Sequence, residues 1–272
     1  MSEFLRMMQR ASVERVAQAQ LREPLAELRQ RVSDAPRREP FQWDDSRFGL
    51  IAEIKPISPA KGVLIPPGTA LLPFAERRAR EYERGGARLI SVLTEPLRFG
   101  GSLELLAALA AKSSLPIMRK DFIVDRYQIY ETRVHGAAGV LLIARLLSDE
   151  QLDEFCGLGA ELGLFVLLEA FDQRDLVRCL SRVTRQDRSR WIGVNARDLE
   201  TLQVDRQRFE ALASALDQAP VRIAESSLER PEDLRSMVRL GFNGALVGEV
   251  LMRSNDPAAL TSAMCRAATG LQ

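Results

Sequence analysis

Glu53 and Lys55 lie two residues apart in the stretch LIAEIKPISPAKG (50–62), among Leu50, Ile51, Ala52 and Ile54. Side chains alternate along a strand, so this acid and this amine project to the same face. Burying a charge without a partner costs several kcal/mol. Such a pair is therefore either a mutual ion pair closing a structural seam or part of an active site. Similar polar residues end or follow other apolar runs: Lys120 with Asp121, Glu169, Asn195 with Arg197 and Asp198, Glu225 with Ser226, and Gly248 with Glu249. A positioned lysine can donate a proton, and a glutamate lifted by apolar walls can accept one. Lys55 and Lys120 with Glu53, Glu169 and Glu225 are the material of a general acid–base site.

The elements that must carry these residues form a rhythm. Short apolar, β-branched runs occur at 49–55, 89–94, 115–119, 138–143, 163–169, 191–195, 221–225 and 243–247. Helical patterns lie between them, among them SLELLAALAAK, SDEQLDEFCGLGAEL, FDQRDLVRCLSRV and ERPEDLRSMVRL, with Ser148, Asp172 and Glu229-Arg230-Pro231 as helix-start signals. Strands that are apolar on both faces and alternate with helices point to a parallel sheet with helical crossovers. Eight such units predict an α/β fold closed into a (β/α)8 TIM barrel. A doubly wound sheet is the alternative, weakened because no GxGxxG follows the first strand. In a barrel, chemistry collects at the C-terminal strand ends, which is where the polar residues fall; Thr94, Glu95 and Arg145 occupy the remaining ends.

The last strands carry a second signal. ESSLERPED and LVGEVLMR put small residues where strands seven and eight meet their helices, a common place for a barrel to bind phosphate. The SPAKG loop offers Ser58 and Lys61 to the same mouth. His135, before Gly136 at a helix end, reads as a C-terminal cap or surface residue.

Before the barrel, residues 1–48 read as a helical extension and connector. Val13, Val16 and Ala17 make one helical stripe, Pro24 breaks the pattern, Leu25 and Leu28 begin another, and SDAPRREPFQWDD connects to the first strand. The whole chain, 1–272, is expected to be a single domain.

Composition bounds the rest. The 272 residues are 46% hydrophobic and 28% charged, with 38 Lys plus Arg against 37 Asp plus Glu, a net charge of +1. That balance favours neither nucleic acid nor an acidic membrane as a partner. Three scattered cysteines and one histidine give no metal-ligand cluster and suit a reducing cytoplasm. MSEFLRMMQR lacks the apolar core of a signal peptide, and no apolar run is long enough for a membrane span.

Several stretches resemble indole-3-glycerol phosphate synthases, the (β/α)8 enzymes of tryptophan biosynthesis: IAEIKPISPAKG, SVLTEPLRFGGSLE, LPIMRKDFIVDRYQIYE, LLIARLLSDEQL, WIGVNARDLETLQVD and LVGEVLMRSNDP. The resemblance implies extra N-terminal helices over the barrel mouth and a phosphorylated small-molecule substrate, 1-(2-carboxyphenylamino)-1-deoxyribulose 5-phosphate. It implies no metal and no organic cofactor. The reaction closes the ring with loss of CO2 and water. Lys120 matches the principal general acid, Lys55 a substrate-orienting second acid, and Glu169 the general base. Glu53 and Asn195 match residues holding the lysines and substrate hydroxyls. Arg197, Glu225 and Ser226 match further active-site positions, and Ser58, Gly248 and Glu249 fall where the family binds phosphate.

The departures from the family's pattern cluster at Pro56, Ala60, Ala170, Phe171, Ala196, Ser227, Leu228 and Val250. Ser227 weighs most, because the family's glycine there allows positive φ and close approach to the anion. Three readings stand beside one another: drift within an ordinary synthase, a specialised homologue acting on a modified substrate in another indole-forming pathway, and a non-catalytic metabolite-binding barrel. Phosphoribosylanthranilate isomerase, a related barrel, is disfavoured because it needs a cysteine base near the end of the first strand.

Overall fold

The computed structural model describes residues 3–37, 39–44, 46–198, 201 and 203–270. Three positions of the NARDLETLQVD stretch (Leu199, Glu200 and Leu202), Arg38 and Asp45 of the connector, and Met1 and Ser2 lie outside the described residues, as do Leu271 and Gln272.

Eight parallel strands close into a barrel: β1 (Gly49–Ile54), β2 (Leu89–Leu93), β3 (Ile117–Lys120), β4 (Gly139–Ile143), β5 (Phe165–Ala170), β6 (Arg190–Asn195), β7 (Arg222–Glu225) and β8 (Gly244–Val247). Each pairs with its neighbours in sequence, and β8 closes on β1 in the register Gly49 to Gly244 and Ala52 to Val247. Every expected run became a strand, within about two residues at each end. Burial on both faces explains why these strands read as continuous apolar runs.

The crossover helices start where polar caps allow. Ser148 Oγ accepts from Gln151 N, and an Asp172 carboxylate oxygen accepts from Asp175 N, each satisfying a backbone donor that the first turn leaves free. His135 is the expected C-cap, its N donating to Glu131 O with ring Nδ1 2.8 Å from the same oxygen.

The N-terminal segment forms α1 (Glu3–Arg22) and α2 (Leu25–Asp34), broken at Pro24. The buried stripe of α1 is Leu5, Met8, Ser12 and Val16, while Val13, Ala17 and Leu21 face outward. The stripe expected from apolar residues alone was rotated, because it could not anticipate a buried serine. Ser12 Oγ donates to Phe122 O at 2.5 Å, and that bond lets a polar residue occupy the inner face. Of this extension α1 reaches the C-terminal mouth of the barrel, and α2 packs against the helix Arg126–Val134.

The connector then runs to the opposite end. Trp43 packs edge-on to Trp191 with ring centres 4.9 Å apart, Phe165 stacks on Trp191 at 4.0 Å, and Phe41 meets both rings edge-on. Phe165 and Trp191 lie at the starts of β5 and β6, so these four rings floor the barrel. Trp43 is 2% exposed. Its replacement leaves a large void that the surrounding strands cannot fill. Trp43→Ala is expected to cost about 3–5 kcal/mol of unfolding free energy. Denaturant titration checks this, and a loss below about 1 kcal/mol would show that the floor is not part of the core.

Candidate active site

At the C-terminal strand ends a cavity opens to solvent. All twelve candidate residues line it: Glu53, Lys55, Ser58, Lys120, Glu169, Asn195, Arg197, Glu225, Ser226, Ser227, Gly248 and Glu249. Lys61 is exposed and does not line the cavity. Other strand-end residues serve the fold instead. The Glu95 carboxylate caps the short helix Pro96–Phe99 by accepting from three backbone N–H groups. Arg145 pairs with Asp172 and Asp175 and lies over the Phe171 ring.

Two ion-pair systems sit inside. Lys55 Nζ is 2.8 Å from Glu53 Oε1, so the pair that stood out in sequence is a mutual ion pair and also part of the cavity wall. Lys120 Nζ stands 3.4 Å from both Glu169 Oε1 and Glu225 Oε2. Asn195 Nδ2 donates to Glu169 Oε1 at 2.7 Å, and Asn195 Oδ1 accepts from Arg197 N at 2.9 Å, which fixes the amide's orientation. Burial by itself would strip the proton from Lys120, but the charges of Glu169, Glu225 and Glu53 outweigh it and raise its pKa above the ordinary value. Burial pushes Glu225 up to about 8, with Lys120 opposing and Glu169 adding to the shift. Two glycines make room for these carboxyls. A Cβ at Gly193 would lie 2.1 Å from Glu225 Oε1, and one at Gly248 would lie 2.3 Å from Glu53 Oε1.

The other side of β3 is equally polar. Lys120 points into the barrel, so Arg119 and Asp121 point away from it. Asp121 takes Arg15 of α1 at 2.8 and 3.1 Å, Thr94 Oγ1 at 2.7 Å, Arg119 Nη2 at 3.1 Å and Phe122 N at 2.8 Å. Burial works against its charge, but Arg119, Arg15 and Thr94 outweigh it and hold the carboxyl well below the usual carboxylate range. The backbone that presents Lys120 is thus fixed from outside by charge-assisted bonds.

Part of the wall was not singled out by the sequence analysis. Phe4 of α1, Phe99 and Phe122 form an aromatic side, with Phe122 centred 6.2 Å from Phe4 and 6.1 Å from Phe99. Leu93, Leu141, Ile143 and Leu246 add apolar surface. A lone phenylalanine carries no signal in sequence, and only the three-dimensional cluster reveals this side.

The departures from the family's pattern sort by position. Ala60, Ser227, Leu228 and Val250 line the cavity, whereas Pro56, Ala170, Phe171 and Ala196 do not. Ser226 and Ser227 both have positive φ, 70° and 60°, and are the only described non-glycine residues that do. Ser227 Oγ is buried with no hydrogen-bond partner among the described residues.

The indole-3-glycerol phosphate synthase family model matches residues 5–264. Indole-3-glycerol phosphate synthase of Micrococcus luteus is 43% identical over 214 residues, covering 79% of this chain and 76% of that protein. The Mycobacterium ulcerans protein of the same name is 42% identical over 222 residues, 82% of this chain and 78% of its own length. Among solved structures, 3-hexulose-6-phosphate synthase from Salmonella typhimurium superposes with a TM-score of 0.62 at 14% identity, covering 80% of this chain and 97% of that one. Thiamine phosphate pyrophosphorylase from Pyrococcus furiosus gives 0.58 at 14%, covering 82% and 96%; these two likenesses speak to the fold alone. With its family match spanning nearly the whole barrel, the chain belongs to the indole-3-glycerol phosphate synthase family.

Proposed function

We propose that the chain converts 1-(2-carboxyphenylamino)-1-deoxyribulose 5-phosphate to indole-3-glycerol phosphate by general acid–base catalysis, with residues 1–272 working as one unit. The observation that carries this reading is Lys120, an ammonium group held between two carboxyls in an apolar-walled cavity and still 17% exposed at its side chain. Phe4 supports the single unit, since α1 supplies part of the cavity wall.

The proton count explains why two lysines and a base are needed. The ring carbon bearing the carboxylate bonds to the ketone carbon, and the carbonyl oxygen takes one proton. CO2 then leaves and the ring regains its aromaticity. The new hydroxyl departs as water on a second proton, while a proton from the neighbouring methylene goes to a base. Two protons are given and one is taken back, so each turnover draws one from water. In this reading Lys120 is the principal acid, Lys55 orients the substrate and supplies the second proton, and Glu169 is the base. The 3.4 Å contact between Glu169 and Lys120 lets the accepted proton return directly to the acid. Glu53 holds Lys55, and Asn195 orients Glu169. Arg197 and Ser226 complete the polar lining, and the Phe4, Phe99 and Phe122 side suits the substrate's aromatic ring.

The phosphate falls to Ser58, Ser226, Ser227 and the Gly248–Glu249 turn. Ser58 Oγ donates to Glu249 Oε2 at 3.2 Å and can turn to an anion instead. Ser227 brings a hydroxyl without a hydrogen-bond partner among the described residues, which supports an anion-binding role despite its backbone strain.

Purified protein given this substrate should form the indole fluorophore and release CO2; no turnover at millimolar substrate would sink the reading. Lys120→Met should lower kcat by about 10²–10⁴-fold, with the fold intact by circular dichroism. Near-normal turnover in that variant would remove Lys120 from the acid's role. Ser227→Gly separates strain from binding. It should raise unfolding free energy by about 1 kcal/mol and raise KM about tenfold through the lost donor. A stabilised variant with unchanged KM would show that the hydroxyl does not meet the phosphate.

A further inference from the structure

Two carboxyls share one ammonium group at the centre of the cavity, and their surroundings are unequal. Glu169 Oε1 receives two donors, Lys120 Nζ at 3.4 Å and Asn195 Nδ2 at 2.7 Å. Glu225 receives one, Lys120 Nζ at 3.4 Å on Oε2. Its Oε1 is buried against Gly193 and accepts from no donor among the described residues. A buried carboxylate oxygen without a donor is costly, whereas a carboxylic acid hydroxyl is itself a donor and needs only an acceptor. Glu169, 3.4 Å from the same Lys120 Nζ as Glu225, is the neighbouring carboxylate that can accept from it.

We infer that Glu225 works as a neutral carboxylic acid, a positioning residue that donates to Glu169 and leaves Lys120 with one fully anionic neighbour. The groups facing it bear this out element by element. Among the described residues the cation paired with it is Lys120 on β3, and Glu169 on β5 is a second carboxyl. Gly193 and Asn195 on β6 and Leu246 on β8 carry no charge. Glu53 on β1 also acts on Lys120, but it is matched by Lys55. One cation against two carboxyls in a dry site leaves a surplus negative charge, and a proton removes it.

The consequence is for acid strength. A second full anion beside Lys120 would tighten its hold on the proton that it must give up. The neutral form of Glu225 keeps Lys120 charged but less reluctant, and it aims the Glu169 carboxylate. Ionisation of Glu225 above about pH 8 would undo both effects.

This inference rests on the acid–base reading above, so its test needs one readout that does not involve turnover. Infrared difference spectra of the unmodified protein across pH should contain a carboxylic acid C=O band that disappears as pH rises through about 8. The band should be absent in Glu225→Gln. A band that persists in that variant, or no such band in the unmodified protein, overturns the inference whatever the activity.

Stability supplies a second such readout. The folded-state pKa lies above the ordinary 4.5, so the folded protein binds the extra proton and this contribution to stability falls as pH rises from about 4.5 to about 8. Glu225→Gln should lack that component, and an unchanged pH dependence of Tm in the variant counts against the proposal.

In turnover, the alkaline limb of kcat/KM near pH 8 should move upward in Glu225→Gln, with kcat at pH 7 reduced less than about tenfold. Glu225→Ala, which removes the Glu225 donor and leaves Glu169 only Lys120 and Asn195, should lose more than about a hundredfold. A loss in the Gln variant as deep as in the Ala variant, with the fold intact, would show that the ionised carboxylate is what the site uses. If the infrared and stability results hold while neither protein turns the substrate over, the function fails and the protonation state stands.

Discussion

Taking an ammonium group out of water demands compensating charge held in place, and in this barrel that group is Lys120. Its two carboxyl neighbours come from β5 and β7, on strands other than its own, so the pairing exists only once the barrel has brought those strands round. Carboxyls of this bulk fit inside a ring of strands because glycine stands at 193 and 248, where any side chain would collide with Glu225 or Glu53. The apolar strand interiors supply the low dielectric that makes these charges matter to one another. Packing and electrostatics are thus one arrangement seen from two sides.

The lysine is also held from behind. Asp121 and Arg119 flank it in sequence and turn outward into a second polar network, with Thr94, Glu131 and Arg15 of α1. Along one strand the chain alternates between cavity and anchorage, residue by residue. The helix that delivers Arg15 to this anchorage also delivers Phe4 to the cavity wall. The extension is therefore a participant in the site's architecture and not an appendage to it.

How much of this was legible beforehand depends on the kind of signal. Strand positions were readable because a fully buried parallel strand requires an unbroken apolar run, and helix starts at Ser148 and Asp172 because capping has its own chemistry. The convergence of Glu53, Lys55, Lys120, Glu169, Asn195 and Glu225 followed from strand direction alone. What stayed hidden depends on contacts between distant residues. The inner face of α1 turned on a serine bonded to Phe122 O, more than a hundred positions away. Glu95 and Arg145 carried the same strand-end signal as the cavity residues, and local partners claimed them. The imbalance of donors between Glu169 and Glu225 needed atomic distances.

Trp43 has a consequence for the order of assembly. It precedes β1, yet its indole rests against Trp191 and abuts Gly244, which enter the chain more than a hundred residues later. The floor cannot form until β6 and β8 are in place. Contacts of such wide sequence separation carry a loop-closure entropy that must be met before they stabilise anything. Gly49 and Arg88, which follow soon after it, offer the indole only part of the shelter that Trp191 and Gly244 complete. The ring of strands that shelters it also carries Glu225 round to Lys120, so the floor and the charged cavity depend on the same closure.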